Sequence, residues 1–136
     1  MTRIVLSLVL VTVLAMAPLT AHHAYPGFEP QRTNFTGKVE VLTIANPHTL
    51  IDIRTADGQL YRVIFLAASA LGRVFPYGAQ GMTERIHVGD TLAVSGRLKR
   101  LPDIIEVCSA EFADADGVPI YPVRRPSPFT APAFRP

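Results

Sequence analysis

Residues 49–65 of the chain read TLIDIRTADGQLYRVIF. On both sides of Asp57-Gly58, apolar and polar side chains alternate with a period of two, which is typical of strands that bury one face. Asp-Gly between two such runs is a strong signal for a β-hairpin, because both residues tolerate the positive φ of a tight turn. This stretch therefore predicts two antiparallel strands, 49–55 and 59–65.

The chain before this hairpin predicts one more strand, 35–44. Val39 and Val41 alternate there with polar residues, whereas Leu42 and Ile44 continue the apolar positions out of phase. A change of phase is typical of a bulge that moves the chain to the other face of the sheet. We therefore expect a bulge near the end of this strand.

The segment after the hairpin, 66–75, changes to the period of a helix. Its small and apolar residues recur at i, i+3, i+4 and i+7, which is one face of a short helix, namely Ala67, Ala70, Leu71 and Val74. Pro76, Gly78 and Gly81 then predict a loop, because prolines and glycines at this density interrupt regular structure.

Two further strands, 91–98 and 104–112, follow this loop. Gly96 lies inside the first of them, where glycine is typical of a bend or bulge. After the second strand, Asp116-Gly117 predicts a last hairpin that leads onto residues 118–121.

The order strand, strand, strand, helix, strand, strand is that of the OB-fold, a small five-stranded Greek-key barrel. The sequence thus predicts an all-β domain with a small α contribution: an OB-like Greek-key barrel of five to six strands, with a short helix between strands 3 and 4. A meander half-barrel with a capping helix is the alternative. An OB-fold usually binds its ligand across strands 2 and 3, but this fold analogy names no ligand.

The beginning of the chain has the pattern of a secretory signal peptide, predicted as residues 1–21. A single positive residue precedes an apolar run that is too short for a membrane span of about 20 residues, and small residues follow. Cleavage after Ala21 is favoured over cleavage after Ala17, because a peptidase handles the bond before proline poorly. We expect a periplasmic or secreted protein without an integral membrane segment once the signal is removed.

The mature chain is expected to have three parts. Residues 22–34 lack periodicity and predict an extended N-terminal arm, and residues 35–121 form the OB-like barrel domain. The proline-rich tail, 122–136, cannot pair as a strand and predicts polyproline II or a flexible segment. This tail either lies across the barrel as a strap, stays flexible, or recruits a partner.

Charge argues against a nucleic-acid-binding protein, and cysteine content excludes a domain held together by an internal disulfide. The 136 residues hold 13 Lys and Arg against 11 Asp and Glu, and removal of Arg3 with the signal leaves a nearly neutral chain. Near-neutrality and export argue against a nucleic-acid partner, which requires a basic surface. The single cysteine, Cys108, cannot form an internal disulfide, so the core alone must hold the domain. We expect Cys108 to be buried in its strand.

Four short motifs follow one another along the chain: HHAY at 22–25, FTGKV at 35–39, ANPH at 45–48 and VGDTLAV at 88–94. In this order and spacing they resemble a family of small exported bacterial domains of unknown function. The resemblance implies a periplasmic β-barrel domain and no established activity. Tryptophans that often flank Asn-Pro-His in such sequences are replaced by Ile44 and Leu50 here.

The histidines carry the most specific chemistry in the sequence. At a free mature N-terminus, His22 would offer an α-amine and an imidazole to the same metal ion, and His48 or His23 would add a second imidazole. Three nitrogens in this arrangement form a histidine brace, which suits the tetragonal geometry of Cu(II). Proline at 47 fixes φ and Asn46 bonds to nearby backbone, so this turn is expected to hold His48 rigidly at the barrel rim.

The same residues also fit a purely structural role. His48 can belong to a simple turn whose imidazole bonds to the arm, and Gly89-Asp90 is expected to form a turn before the fourth strand. His87, just before that turn, is a weaker metal candidate.

Two functions follow from these observations. The first is a binding module that takes a small ligand, a metal or an envelope partner. The alternative is a copper-binding accessory protein that uses an N-terminal histidine brace. An enzyme is the minority hypothesis, because the serines lack a nucleophile elbow and Cys108 lacks a paired motif.

Overall fold

The computed structural model describes residues 26–120. Strand pairing in the order β1-β2-β3-β5-β4 closes the sheet, because β4 pairs back onto β1. Two short helices lie between β3 and β4. This confirms the predicted all-β class and the OB-like strand order, with five strands in the barrel. The strands are β1 (Arg32–Thr43), β2 (Leu50–Arg54), β3 (Leu60–Ile64), β4 (Thr91–Arg100) and β5 (Ile105–Ala113).

The predicted hairpin at Asp57-Gly58 is confirmed. Gly58 has a φ of 86°, and its N–H donates to the carbonyl of Thr55 at 2.9 Å. β2 and β3 pair antiparallel around this turn, whereas β3 pairs parallel with β5, with Val63 opposite Val107. The parallel pair requires a connection that returns to the starting end of the barrel, and the helices and β4 supply it.

Both predicted bulges exist, but the first lies elsewhere. The register of β1 against β2 shifts between Val39 and Val41, earlier than the expected position near residues 42–44. The reason is that Val39 bonds to the turn before β4: its N–H donates to the Asp90 carbonyl at 2.9 Å and its carbonyl accepts from Gly89 N–H at 2.8 Å. The second bulge lies at Gly96, as predicted, where a Cβ would lie 2.3 Å from Val107.

Two strands extend beyond their predicted ends. β1 begins at Arg32, so the last residues of the predicted 22–34 arm belong to the barrel and pair with β4. β4 continues to Arg100, because Lys99 and Arg100 pair with the start of β5. Cross-strand pairing thus overrides the polar composition that made both segments resemble irregular connections.

The helical region also differs from the prediction. The expected helix at 66–75 is a shorter 3₁₀ helix, Ala68–Arg73, and a second helix, α1 (Ala79–Thr83), occupies the predicted loop. One glycine of that loop serves close packing: a Cβ on Gly81 would lie 1.7 Å from the Pro76 carbonyl oxygen. The last hairpin forms its turn, but only an isolated bridge from Ala113 to Pro119 follows, within the part described.

Aromatic residues close both ends of the barrel. Phe65 makes edge-to-face contacts with Phe75 and Phe112, at centroid distances of 6.4 and 5.2 Å, beneath the helices. We call this the capped end. At the opposite end, Phe35 and Tyr61 stack with centroids 4.0 Å apart. The fully buried side chains between them include Val39, Ile51, Ile53, Val63, Leu92, Val94, Leu98 and Val107. No helix within residues 26–120 is long and apolar enough to cross a membrane.

Candidate functional site

The outer surface of β2 and β3 is the face on which OB-folds usually hold a ligand. Along both strands, side chains alternate between the core and solvent. Ile51, Ile53 and Val63 point into the core and are fully buried. The alternate positions form the outer surface, which we call the β2–β3 face: Leu50, Asp52, Arg54, Leu60, Arg62 and Ile64.

An ion pair occupies the centre of this face. Asp52 and Arg62 lie directly opposite each other in the register, and Arg62 donates from Nε to Oδ1 and from Nη2 to Oδ2, both at 2.8 Å. Asp52 is 9% exposed, whereas the Arg62 side chain is 40% exposed. The hydrogen bonds to Asp52 raise the pKa of Arg62. Among residues 26–120, no hydrogen bond of Nη1 of Arg62 is present, and this charged group is able to donate to a ligand.

Charged residues continue from this pair across the barrel. Glu106 of β5 lies opposite Arg62, and Lys99 of β4 lies opposite Glu106, with Nζ and Oε2 3.8 Å apart. The Lys99 ammonium lies 5.8 Å from the centroid of the Phe28 ring. The signs alternate from strand to strand, so the row has little net charge.

A second arginine pair lies toward the hairpin turn. Arg54 donates from Nε and Nη2 to the two carboxylate oxygens of Glu40, at 2.7 and 3.0 Å, and from Nη1 to the Gly58 carbonyl. The Arg54 hydrogen bond lowers the pKa of Glu40, and the same bond raises the pKa of Arg54. Both side chains are exposed, so solvent screens the pair.

Apolar side chains adjoin the Asp52–Arg62 pair on its other side, toward the capped end. Val41 of β1 lies opposite Asp52 and is 46% exposed. Leu50 and Ile64 lie opposite each other and are partly exposed. We call Val41, Leu50 and Ile64 the apolar patch. It places an apolar surface directly beside a charged donor.

The predicted Asn46-Pro47-His48 turn lies at the capped end, between β1 and β2. The Asn46 side-chain oxygen accepts from the backbone N–H of Ser69 at 3.3 Å and from its hydroxyl at 3.2 Å. Thr49 N–H donates to the Leu66 carbonyl at 3.0 Å. These bonds tie the turn to the segment after β3. The partner of Asn46 is thus Ser69, 23 positions along the chain, and not the nearby backbone that the sequence suggested.

His48 itself is exposed, and its Nδ1 lies 3.3 Å from the carbonyl oxygen of Phe65. Within residues 26–120, the partner of the imidazole is Phe65, just after β3, whereas the structural alternative expected the arm, of which residues 22–25 lie outside the described range. A carbonyl only accepts, so this contact fits the tautomer with the proton on Nδ1 and the lone pair on Nε2. The neighbouring Thr49 is fully buried, and its hydroxyl has no hydrogen-bond partner in the part of the chain described.

The expected turn at Gly89-Asp90 forms, and it also involves His87. Gly89 has a φ of 98°, and Asp90 Oδ2 accepts from the His87 backbone N–H at 2.8 Å. His87 Nδ1 lies 3.2 Å from the same oxygen. Because this turn also bonds to Val39, its residues connect β4 to the bulge in β1. These hydrogen bonds give Gly89, Asp90 and His87 a structural role in the turn.

Two of the predicted metal ligands, His22 and His23, lie outside the described residues. Within 26–120, no three His, Cys, Asp or Glu side chains lie close enough together to hold a metal ion. Cys108 is buried, as expected, and burial raises the pKa of its thiol. The structure therefore places only His48 of the proposed brace.

Sequence reasoning missed the Asp52–Arg62 pair, although the signal for it was present. In a hairpin centred on Asp57, positions equally distant from the turn face each other. Asp52 and Arg62 are each five residues from Asp57, so the register alone brings their opposite charges together.

Comparison of the sequence with protein-family models and with curated proteins finds no match. The chemistry of the site therefore rests on its own residues. The β2–β3 face offers a charged donor beside apolar side chains, which are means of binding. The Ser69 hydroxyl bonds to Asn46, and Cys108 is buried.

Proposed function

We propose that this protein is an exported binding module and that its ligand lies on the β2–β3 face. The observation that carries the proposal is the Asp52–Arg62 pair beside the apolar patch. Arg62 is held in one orientation by two hydrogen bonds, so the side chain loses little further freedom when a ligand binds. An apolar surface next to an oriented donor is the usual composition of a small-ligand site.

The chemistry of this face favours an amphipathic anion. Nη1 of Arg62, which the ion pair does not use, is able to donate to a carboxylate. Val41, Leu50 and Ile64 belong to three neighbouring strands, so the patch can contact an apolar chain about as long as two inter-strand distances. The paired acids Asp52, Glu106 and Glu40 balance the nearby cations, so the face does not suit a nucleic acid. A small ligand or a segment of an envelope protein would meet these requirements.

The proposal can be tested with octanoate, which carries one carboxylate on an apolar chain. We expect octanoate to shift the amide NMR signals of Asp52, Arg62 and Ile64 in the full mature chain. 1-Octanol, which lacks the charge, should bind about tenfold more weakly, since a hydrogen bond to a charged group contributes about 1.5 kcal/mol.

Two matched variants make this test specific. Val41→Glu places a like charge in the patch and should abolish the shifts, whereas Val88→Glu makes the same change at another exposed valine and should leave them intact. If the shifts spread over the whole barrel, or if both variants bind alike, the ligand does not use the β2–β3 face.

The copper-binding alternative is supported by the contact of His48. With its proton on Nδ1 and bonded to the Phe65 carbonyl, the imidazole presents Nε2 as a ligand, which is how metal-binding histidines are usually oriented. In this second candidate function, the amine and imidazole of His22 would complete a three-nitrogen copper site, with His23 as the other possible imidazole.

A Cu(II) titration followed by EPR tests this alternative. The protein must begin at His22, as verified by mass, and is compared with a form that carries one extra N-terminal residue. Tight one-to-one binding with nitrogen hyperfine structure should be lost in the extended form and in His48→Ala, and kept in His87→Ala. Equal weak binding in all four proteins would rule out the brace.

We also propose that residues 1–21 are a signal peptide and that the chain belongs with the exported family that its motifs resemble. One of those motifs, at 45–48, supplies the turn that follows β1, and another, at 88–94, supplies the turn that bonds to the bulge in β1. Expression with the native start, followed by fractionation and mass measurement, should give a periplasmic or secreted chain that begins at His22. A chain that retains Met1 in the cytoplasm would refute export.

A further inference from the structure

Of the five acidic side chains in residues 26–120 that form no ion pair, three lie near Ile120, where the described chain ends. At the capped end, no Lys or Arg of residues 26–120 forms an ion pair with Glu84, Asp114 or Asp116, whereas six other acids in that range do pair with a basic side chain or histidine. Val88, just before β4, and Val118, just after β5, lie beyond the pairing of Ala93 with Ala113 and are 64% and 58% exposed. We call these five residues the acidic rim.

The chain leaves the barrel at a fixed point beside this rim. Ile120 is buried, and its N–H donates to the Phe112 carbonyl at 3.1 Å. Arg85, next to Glu84, donates from Nη1 to the Ile120 carbonyl. The Arg85 guanidinium is thus already engaged by the backbone. Ile120, the last described residue, is therefore held beside Arg85, the chain neighbour of Glu84.

The charge of the protein is divided between the barrel and the tail. Residues 26–120 contain all 11 acidic residues and nine of the 13 basic ones, which is a net charge of −2. Residues 121–136 contain Arg124, Arg125 and Arg135 and no acid. Arg124 is four residues beyond Ile120, a reach of about 14 Å for an extended chain. That length is enough to bring it to the rim.

We propose that residues 121–136 dock on the acidic rim of their own barrel. Arg124 and Arg125 pair with Asp116 and Glu84, and the prolines and phenylalanines of the tail cover Val88 and Val118. Single exposed ion pairs are weak, but a tail attached at Ile120 binds as an intramolecular ligand at an effective concentration in the millimolar range. Because the pairing is exposed, salt should weaken it.

Paramagnetic broadening in the full mature chain tests the docking. A nitroxide on Ser127→Cys marks the tail, while the native Cys108 is buried and does not take the label. We expect the amide signals of Glu84, Asp116 and Val118 to lose intensity and those of Asp57 and Asp103, at the opposite end, to keep it. Addition of 1 M NaCl, where the Debye length falls to about 3 Å, should restore the lost intensity.

A matched pair of variants distinguishes specific binding of the tail to the acidic rim from broadening by a label that is merely tethered nearby. Asp116→Asn should restore the rim signals, whereas Asp103→Asn removes an exposed acid at the other end and should not. Equal broadening in both variants would mean that the label is merely tethered nearby, and would overturn the proposal. It would also fail if broadening arose only between labelled and unlabelled copies, or only after anionic vesicles were added.

Discussion

Asp52 of β2 and Arg62 of β3 lie directly opposite each other and share two hydrogen bonds of 2.8 Å. The hairpin register sets this pairing, and the same register places Leu50 opposite Ile64 on the same face. One turn, Asp57-Gly58, thus determines both the charged and the apolar part of the proposed binding surface. The site is therefore built on strands, which hold side chains more firmly than loops do.

Removal of one member of this pair should destabilise the fold. Arg62→Gln leaves the Asp52 carboxylate, 9% exposed, without its two donors, and we expect a loss of about 1–3 kcal/mol in the free energy of unfolding. Urea denaturation at pH 7 measures this change.

The double variant Asp52→Asn with Arg62→Gln provides the control. Both charges are then absent, so the double variant should be more stable than Arg62→Gln alone. Additive losses from the two single substitutions would show that the side chains do not interact.

The Glu40–Arg54 pair predicts a pH dependence. The Arg54 hydrogen bond lowers the pKa of Glu40 in the folded state, so in acid the unfolded state takes up a proton first. The contribution of the pair is thus fully present above the ordinary glutamate pKa, about 4.3, and is lost as pH falls through the lower folded value. The difference in Tm between the wild-type chain and Glu40→Gln should be constant near pH 6–7 and should vanish in acid.

The partner residue gives the control for this titration. In an Arg54→Gln background, nothing holds the Glu40 carboxylate, so the substitution of Glu40 should have little effect at any pH. A difference in Tm that persists in this background would assign the effect to another contact.

The strand order and most turns could be predicted from the sequence because they follow from local signals. Alternation gave β2 and β3, and glycine at 58 and 96 marked a turn and a bulge that the structure confirms. The early start of β1 at Arg32 could not be predicted, since polar residues there pair with β4 across about 60 positions of sequence. Non-local pairing leaves no periodic trace in a polar segment.

The site was predictable only in part. The turn at Asn46 to His48 follows from its residue types, whereas the contact of His48 with Phe65 depends on how β3 ends. The helix at Ala79–Thr83 depends on Gly81 packing against the Pro76 carbonyl, a tertiary contact that appears in the sequence only as a loop signal. His22 and His23 stay predictions, because they lie outside the described residues.

Cys108 should be unreactive in the folded protein. The residue is fully buried, and burial raises the pKa of its thiol, so both access and ionisation are suppressed. We expect no reaction with DTNB at pH 8 in buffer and one equivalent in guanidinium chloride. Val88→Cys, at an exposed position, provides a thiol that should react at once; rapid reaction of the native chain would mean that β5 opens readily.

Gly81 should be the glycine in the helical region that least tolerates substitution. A Cβ at this position would lie 1.7 Å from the Pro76 carbonyl oxygen. The backbone cannot easily move to relieve this clash, because the buried side chains of Phe75 and Met82 hold it in place. Gly81→Ala therefore forces the two helices apart. We expect a loss of at least about 2 kcal/mol in stability and a fall in Tm of about 10 °C.

Gly72, in the 3₁₀ helix, allows the same substitution without the clash. Apart from its chain neighbours and its own helix backbone, no heavy atom lies within 4 Å of the position its Cβ would take. Gly72→Ala should therefore leave Tm unchanged or raise it, because alanine restricts the unfolded chain. Thermal unfolding followed by circular dichroism measures Tm for Gly81→Ala and Gly72→Ala. The comparison sets a position where a Cβ clashes against one in the same segment where it does not. Equal Tm values would show that the Gly81–Pro76 contact does not limit how the helices pack onto the barrel.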